Sequence, residues 1–207
     1  MIPRHLCAPR WALFCLLAAG STLALAHTGN DGDVHHSIGE ALEAGFTHPL
    51  TGLDHLAAMV AVGVWSALTA RRVWLAPLAF ASTVLIGALL GFAGLRLPAV
   101  EPMIAASLLV LGLLVFSRAQ LPAVVGVGLA AAFALFHGVA HGQELGGPFG
   151  EWALAGMVAA TVLLHCAGIA LGLAMQRGHR WIPRVAGAGV ALFGLSLLVP
   201  ALMSSAA

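Results

Sequence analysis

Two segments of the chain concentrate side chains that could do chemistry: His48-Pro49-Leu50-Thr51-Gly52-Leu53-Asp54-His55 and His137-Gly138-Val139-Ala140-His141-Gly142-Gln143-Glu144. Both lie in or beside strongly apolar stretches, where bare imidazole and carboxylate groups are expensive to bury. Imidazole with carboxylate is a donor set that holds divalent transition metals. On a helix, His137 and His141 (i, i+4) project from one face and can share an ion, and Glu144 follows on the same side. His48 precedes Pro49, and proline is favoured in the first turn of a helix, which predicts His48 at a helix mouth. His55 then falls about two turns down the same face, with Asp54 beside it roughly 8 Å inside the helix. A carboxylate at that depth needs a partner or a wet cavity. The alternative to a metal role is an arginine partner or a cap on a neighbouring helix. Met59, on the same face, reads as core packing rather than a thioether ligand.

Other candidates are less specific. His165 lies near the middle of a later apolar run beside Cys166, as a relay below the two clusters or as a buried histidine bonded to a backbone carbonyl. His35 and His36, with Asp31, Asp33 and His27, form a polar segment that either captures metal or is simply solvated. His179 stands among arginines and reads as a loop residue.

The elements that must position these groups are membrane helices. Of 207 residues, 60% are hydrophobic and 8% charged, with no lysine. Soluble domains carry about 25% charge, so an all-α, polytopic membrane bundle is expected. No basic stripe with interleaved aromatics suggests nucleic acid. Residues 1–26 read as a cleaved signal peptide: Arg4, His5 and Arg10, then a short apolar core, then Ala24-Leu25-Ala26. An uncleaved first helix is the alternative. Residues 27–48 form a polar periplasmic segment, a loop or short surface helix, and 49–207 a domain of six transmembrane helices. The spans fall at about 49–69, 73–95, 99–117, 121–142, 152–175 and 181–203. Short connections predict that sequential helices are antiparallel neighbours. Gly87/Gly91, Gly138/Gly142 and Gly168/Gly172 are spaced by four, which lets helices approach closely. The halves 49–117 and 121–203 would have opposite orientations, as inverted repeats do.

Charge gives orientation. Arg71, Arg72, Arg118, Arg177, Arg180 and Arg184 fall in loops on one side, and Arg96 on the other, so the mature N-terminus is expected outside. All eight acids, Asp54 and Glu144 among them, fall on the outer side, an acidic face that attracts cations.

GFTHPLTGLDHLAAMVAVGVW and ALFHGVAHGQELGG closely resemble the two signature segments of the HupE/UreJ family, bacterial membrane proteins regarded as nickel or nickel/cobalt permeases. LLHCAGIALG and the span pattern are similar to the same family. The resemblance implies metal-handling positions at His48, Asp54, His55, His137, His141 and Glu144, Ni²⁺ or Co²⁺ as substrate rather than prosthetic group, and a place in the bacterial inner membrane. It implies uptake for hydrogenase or urease maturation.

The expected function is therefore a secondary transporter, not an enzyme. Oxygen donors soften the affinity of imidazoles enough for release, and no Walker motif is present for ATP hydrolysis. Two alternatives stand beside it. A membrane metalloenzyme also uses His-x-x-x-His, but spare histidines are few for two irons and the cluster faces away from cytoplasmic reductants. A metal-binding accessory protein would bind without transport. Association with further copies of the chain is left open.

Overall fold

The computed structural model describes residues 36–205. The expected signal peptide (1–26) lies outside the described residues, as do His27, Asp31, Asp33 and His35. Those described form seven helices and no strand. They are α1 (Ile38–Thr51), α2 (Leu53–Thr69), α3 (Leu75–Phe92), α4 (Val100–Ser117), α5 (Ala123–Glu144), α6 (Gly150–Arg177) and α7 (Trp181–Ser205). α3 to α7 are each long and apolar enough to cross a membrane, and α1 with α2 makes a sixth such unit bent by 76°. The protein is a multi-pass membrane bundle.

The bend corrects the expected start of the first span. α1 runs through Pro49 instead of ending before it. Pro49 has no N–H to give the Gly45 carbonyl, and α1 ends two residues later at Thr51. Gly52 (φ −76°, ψ 106°) breaks the chain direction. Its N–H donates to the His48 carbonyl, and its own carbonyl accepts from Leu56 to start α2. His48 is therefore on the last turn of α1, and His55 on the first turn of α2, not on one face of one helix. At its other end α1 is capped by Ser37, whose hydroxyl accepts from the Glu40 N–H at 3.2 Å.

Helix pairing also departs from the expected order. The close pairs are α3 with α5, α4 with α7, α2 with α6, and α1 with α6, whereas sequential helices touch little. Small residues decide this. A Cβ on Gly138 would run into the Val84 carbonyl, and one on Gly142 into that of Ala88, so α3 and α5 meet backbone to backbone. Gly63 against Gly168 joins α2 to α6 in the same manner. In lipid such contacts, not loop length, determine which helices associate. Exchanging α2, α3 and α4 with α5, α6 and α7 turns the α2–α6 pair into the α5–α3 pair and leaves α4–α7 unchanged, the pairing an inverted repeat gives.

Side-chain bonds tie the bundle at both ends. Trp65 Nε1 donates to the Ala119 carbonyl at 3.0 Å, and Gln176 Nε2 to that of Ala67 at 2.6 Å. These gather the arginine-bearing loops at one end. At the other, Gln143 Nε2 donates to the Leu95 carbonyl at 2.9 Å. That end carries His48, Asp54, His55, His141 and Glu144.

Candidate metal centre

The break at Gly52 turns the end of α1 over the start of α2, and α5 delivers its last two turns beside them. Each of His48, His55 and His141 offers a ring nitrogen, and these nitrogens all lie within 4.8 Å of one another. The His48 and His141 ring centroids are 4.8 Å apart, and those of His55 and His141 are 4.3 Å apart. His55 and His141 are fully buried, and the His48 side chain is 21% exposed. The cluster thus has one wet edge and two dry members.

Two carboxylates complete it. Glu144 Oε2 lies 3.2 Å from His48 Nε2 and 3.7 Å from His141 Nδ1. Asp54 Oδ2 lies 3.8 Å from His55 Nε2, while its Oδ1 accepts from the His55 N–H at 2.9 Å. The latter bond satisfies a donor at the start of α2, where a carboxylate also suits the helix dipole. Among the described residues Asp54 faces this imidazole, not an arginine. Imidazole nitrogens and carboxylate oxygens bind a small dication at about 2.0–2.2 Å, so two donors on one ion stand roughly 3–4 Å apart. The carboxylate–imidazole spacings of 3.2, 3.7 and 3.8 Å fall in that range, while the three imidazole nitrogens, within 4.8 Å of one another, would have to draw slightly closer around an ion.

His137 stands behind the cluster. Its Nδ1 is 3.0 Å from Nδ1 of His55, and its Nε2 is 3.1 Å from Oγ of Ser107 on α4. It is fully buried, as is Ser107. His165 is deeper, 2% exposed. The ring of Phe80 on α3 separates it from the cluster, with centroids 5.4 Å from His165 and 5.6 Å from His137. His36 is exposed at the start of α1, where its N–H donates to Glu40 Oε2 at 2.9 Å, and it does not belong to the cluster. Met59 is fully buried in the hydrophobic core. Cys166 is a free thiol, partly buried.

Ser107 and Phe80 escape a reading of the sequence. A serine in an apolar helix ordinarily bonds its own helix carbonyl, as Ser107 does to Ile104 at 2.6 Å. Nothing in the spacing of Leu75–Phe92 distinguishes Phe80 from other core residues.

The family model described as HupE / UreJ protein matches residues 14–197. Protein HupE of Rhizobium leguminosarum bv. viciae is 42% identical over 181 residues, covering 86% of this chain and 91% of that protein. No solved structure matches the chain. With the family model spanning most of its length, the chain belongs to the HupE/UreJ family.

Proposed function

We propose that the protein is a permease for a divalent transition metal, with Ni²⁺ as its foremost substrate and Co²⁺ as the competitor. The single observation that carries this is the set of three imidazoles, His48, His55 and His141, with donors within 4.8 Å of one another at one end of a multi-pass bundle. Asp54 and Glu144 add oxygen donors and negative charge for a dication. A mixed nitrogen and oxygen set binds nickel and cobalt without the grip of an all-thiolate site, as cargo that must be released requires. Membership of the HupE/UreJ family and the likeness to Protein HupE support the same reading.

The site would open to the periplasm of a bacterial inner membrane, since the arginine-bearing loops gather at the opposite end and basic loops face the cytoplasm. Metal delivered inside would serve maturation of a nickel enzyme such as hydrogenase or urease. The test is uptake of labelled Ni²⁺ and Co²⁺ by the full chain reconstituted in vesicles. Saturable accumulation of Ni²⁺ that Co²⁺ competes for is the expected result. Tight binding with no accumulation would make the protein a metal-binding accessory subunit instead. Turnover of a substrate at the bound metal would make it a metalloenzyme.

A further inference from the structure

A hydrogen-bonded chain runs from the backbone of α4 to Nδ1 of His55, and its polarity is fixed at one end. Ser107 Oγ is 2.6 Å from the Ile104 carbonyl oxygen. Two oxygens approach this closely only with a proton between them, and the carbonyl has none to give. The hydroxyl of Ser107 therefore donates to Ile104, and toward His137 it can only accept. His137 Nε2, 3.1 Å away, must carry the proton and donate to Ser107. In the neutral ring the other nitrogen, Nδ1, is then an acceptor. His55 Nδ1, at 3.0 Å, must donate to it. One step further, His55 has its proton on Nδ1 and its in-plane lone pair on Nε2. That is the nitrogen 3.8 Å from Asp54 Oδ2.

We propose that Ser107 and His137 are positioning residues, which hold His55 in its Nδ1–H tautomer so that the Nε2 lone pair is presented to the metal. This rests on the reading of the His48/His55/His141 cluster as a metal site. It gives His137 a role other than ligand, because both of its nitrogens are already engaged, one by Ser107 and one by His55 Nδ1. The arrangement matches a general habit of metal-binding histidines, whose second ring nitrogen donates to a fixed acceptor. Here the acceptor is another imidazole, itself oriented by a serine. Ser107, His137 and His55 are all fully buried, so water does not compete for these bonds. The close pairing of α4 with α7 and of α3 with α5 holds Ser107 and His137 on rigid helices.

The test uses the metal-free full-length protein in detergent with nitrogen-15 labelled histidine, whose ring shifts distinguish protonated from unprotonated nitrogens. The wild type should show His55 protonated at Nδ1 and His137 protonated at Nε2. Ser107→Ala removes the acceptor and should leave both rings as mixtures of tautomers. The Kd for Ni²⁺ should rise by about 10- to 100-fold, the usual effect of losing an outer-shell partner. Ser107→Thr keeps the hydroxyl and should restore tautomer and affinity together. Should the added methyl prevent folding, His137→Asn serves instead: its carboxamide oxygen can accept from His55 Nδ1, so His55 should keep its tautomer, while His137→Leu should not. A wild-type His55 protonated at Nε2, or a Ser107→Ala protein with unchanged tautomers and unchanged affinity, overturns the proposal. A wild type with the expected tautomers that binds no Ni²⁺ leaves the hydrogen-bonded chain standing and overturns the permease reading.

Discussion

His48 Nε2 stands 3.2 Å from Glu144 Oε2, which ties the last turn of α1 to the last turn of α5. The same oxygen lies 3.7 Å from Nδ1 of His141. One carboxylate oxygen thus serves imidazoles from two helices, and its side chain is 30% exposed while His141 is fully buried. Under the proposed permease function, Glu144 would be the point at which an arriving hydrated ion first meets the dry cluster.

Glu144→Gln keeps the shape and removes the charge. Its amide can still bond one imidazole, so folded yield in the membrane should be unchanged. Affinity for Ni²⁺, measured by titration calorimetry on purified protein, should fall at least about tenfold, because a neutral amide is a far poorer partner for a dication than a carboxylate. Wild-type affinity in this variant would place Glu144 outside the binding step.

Gly52 is tested by its space, not its backbone freedom. Its φ of −76° is open to any residue. A Cβ there would stand 2.9 Å from His55 Cδ2 and 3.2 Å from Asp54 Oδ1. Neither group can easily give way, since His55 is held by His137 and Asp54 by the His55 N–H. Gly52→Ala should therefore leave the 76° bend and the fold in place but displace the His55 ring, weakening Ni²⁺ binding by roughly tenfold, as loss of an orienting contact does. Unchanged Ni²⁺ affinity would show that the ring has room the packing denies it.

Much of this was legible in the sequence, for physical reasons that also explain what was not. Uncharged apolar runs near span length have few alternatives to membrane helices, so the all-α bundle follows from composition. His55, His141, Asp54 and Glu144 stand out because polar groups there are costly. The placement of His48 did not follow. Pro49 fits the first turn of a helix as well as the final one, and only Gly52 and the packing of α1 on α6 through Gly45 and Gly156 decide between them. Helix order misled for a similar reason. Loop length suggested sequential neighbours, whereas the glycine faces that pair α3 with α5 and α2 with α6 prevail. Ser107 and Phe80 carry no periodicity or charge that would mark them.

Asp54 separates charge from structure. Asp54→Asn retains an oxygen able to accept from the His55 N–H, so the start of α2 should survive. The negative charge facing His55 Nε2 is lost. Ni²⁺ uptake normalised to folded protein should be abolished, and Asp54→Glu, which moves the charge by one methylene, should retain part of it. A purely structural Asp54 would act through abundance instead, with Asp54→Asn lowering protein level and not normalised uptake. Wild-type normalised uptake by Asp54→Asn would remove this carboxylate from the metal path.

His165 offers the sharpest division between binding and movement. Its Nε2 is buried and has no hydrogen-bond partner among the described residues. A buried polar atom in that state costs about 1–3 kcal/mol, so an apolar replacement should stabilise the bundle if packing were its only duty. Phe80 stands between it and His137, which keeps it apart from the outer cluster. As a relay for an ion released from that cluster, His165 contributes nothing to initial capture. His165→Leu should then fold at least as well as the wild type and bind Ni²⁺ with unchanged Kd, yet lose uptake at every metal concentration. Replacing the tail residues His35 and His36 with alanine should do the reverse, slowing uptake only when metal is scarce, if they raise its local concentration. Thermal melting, calorimetry and vesicle uptake on the His165→Leu protein read the three quantities separately. A more stable protein with wild-type uptake would leave His165 as a packing residue and end the relay.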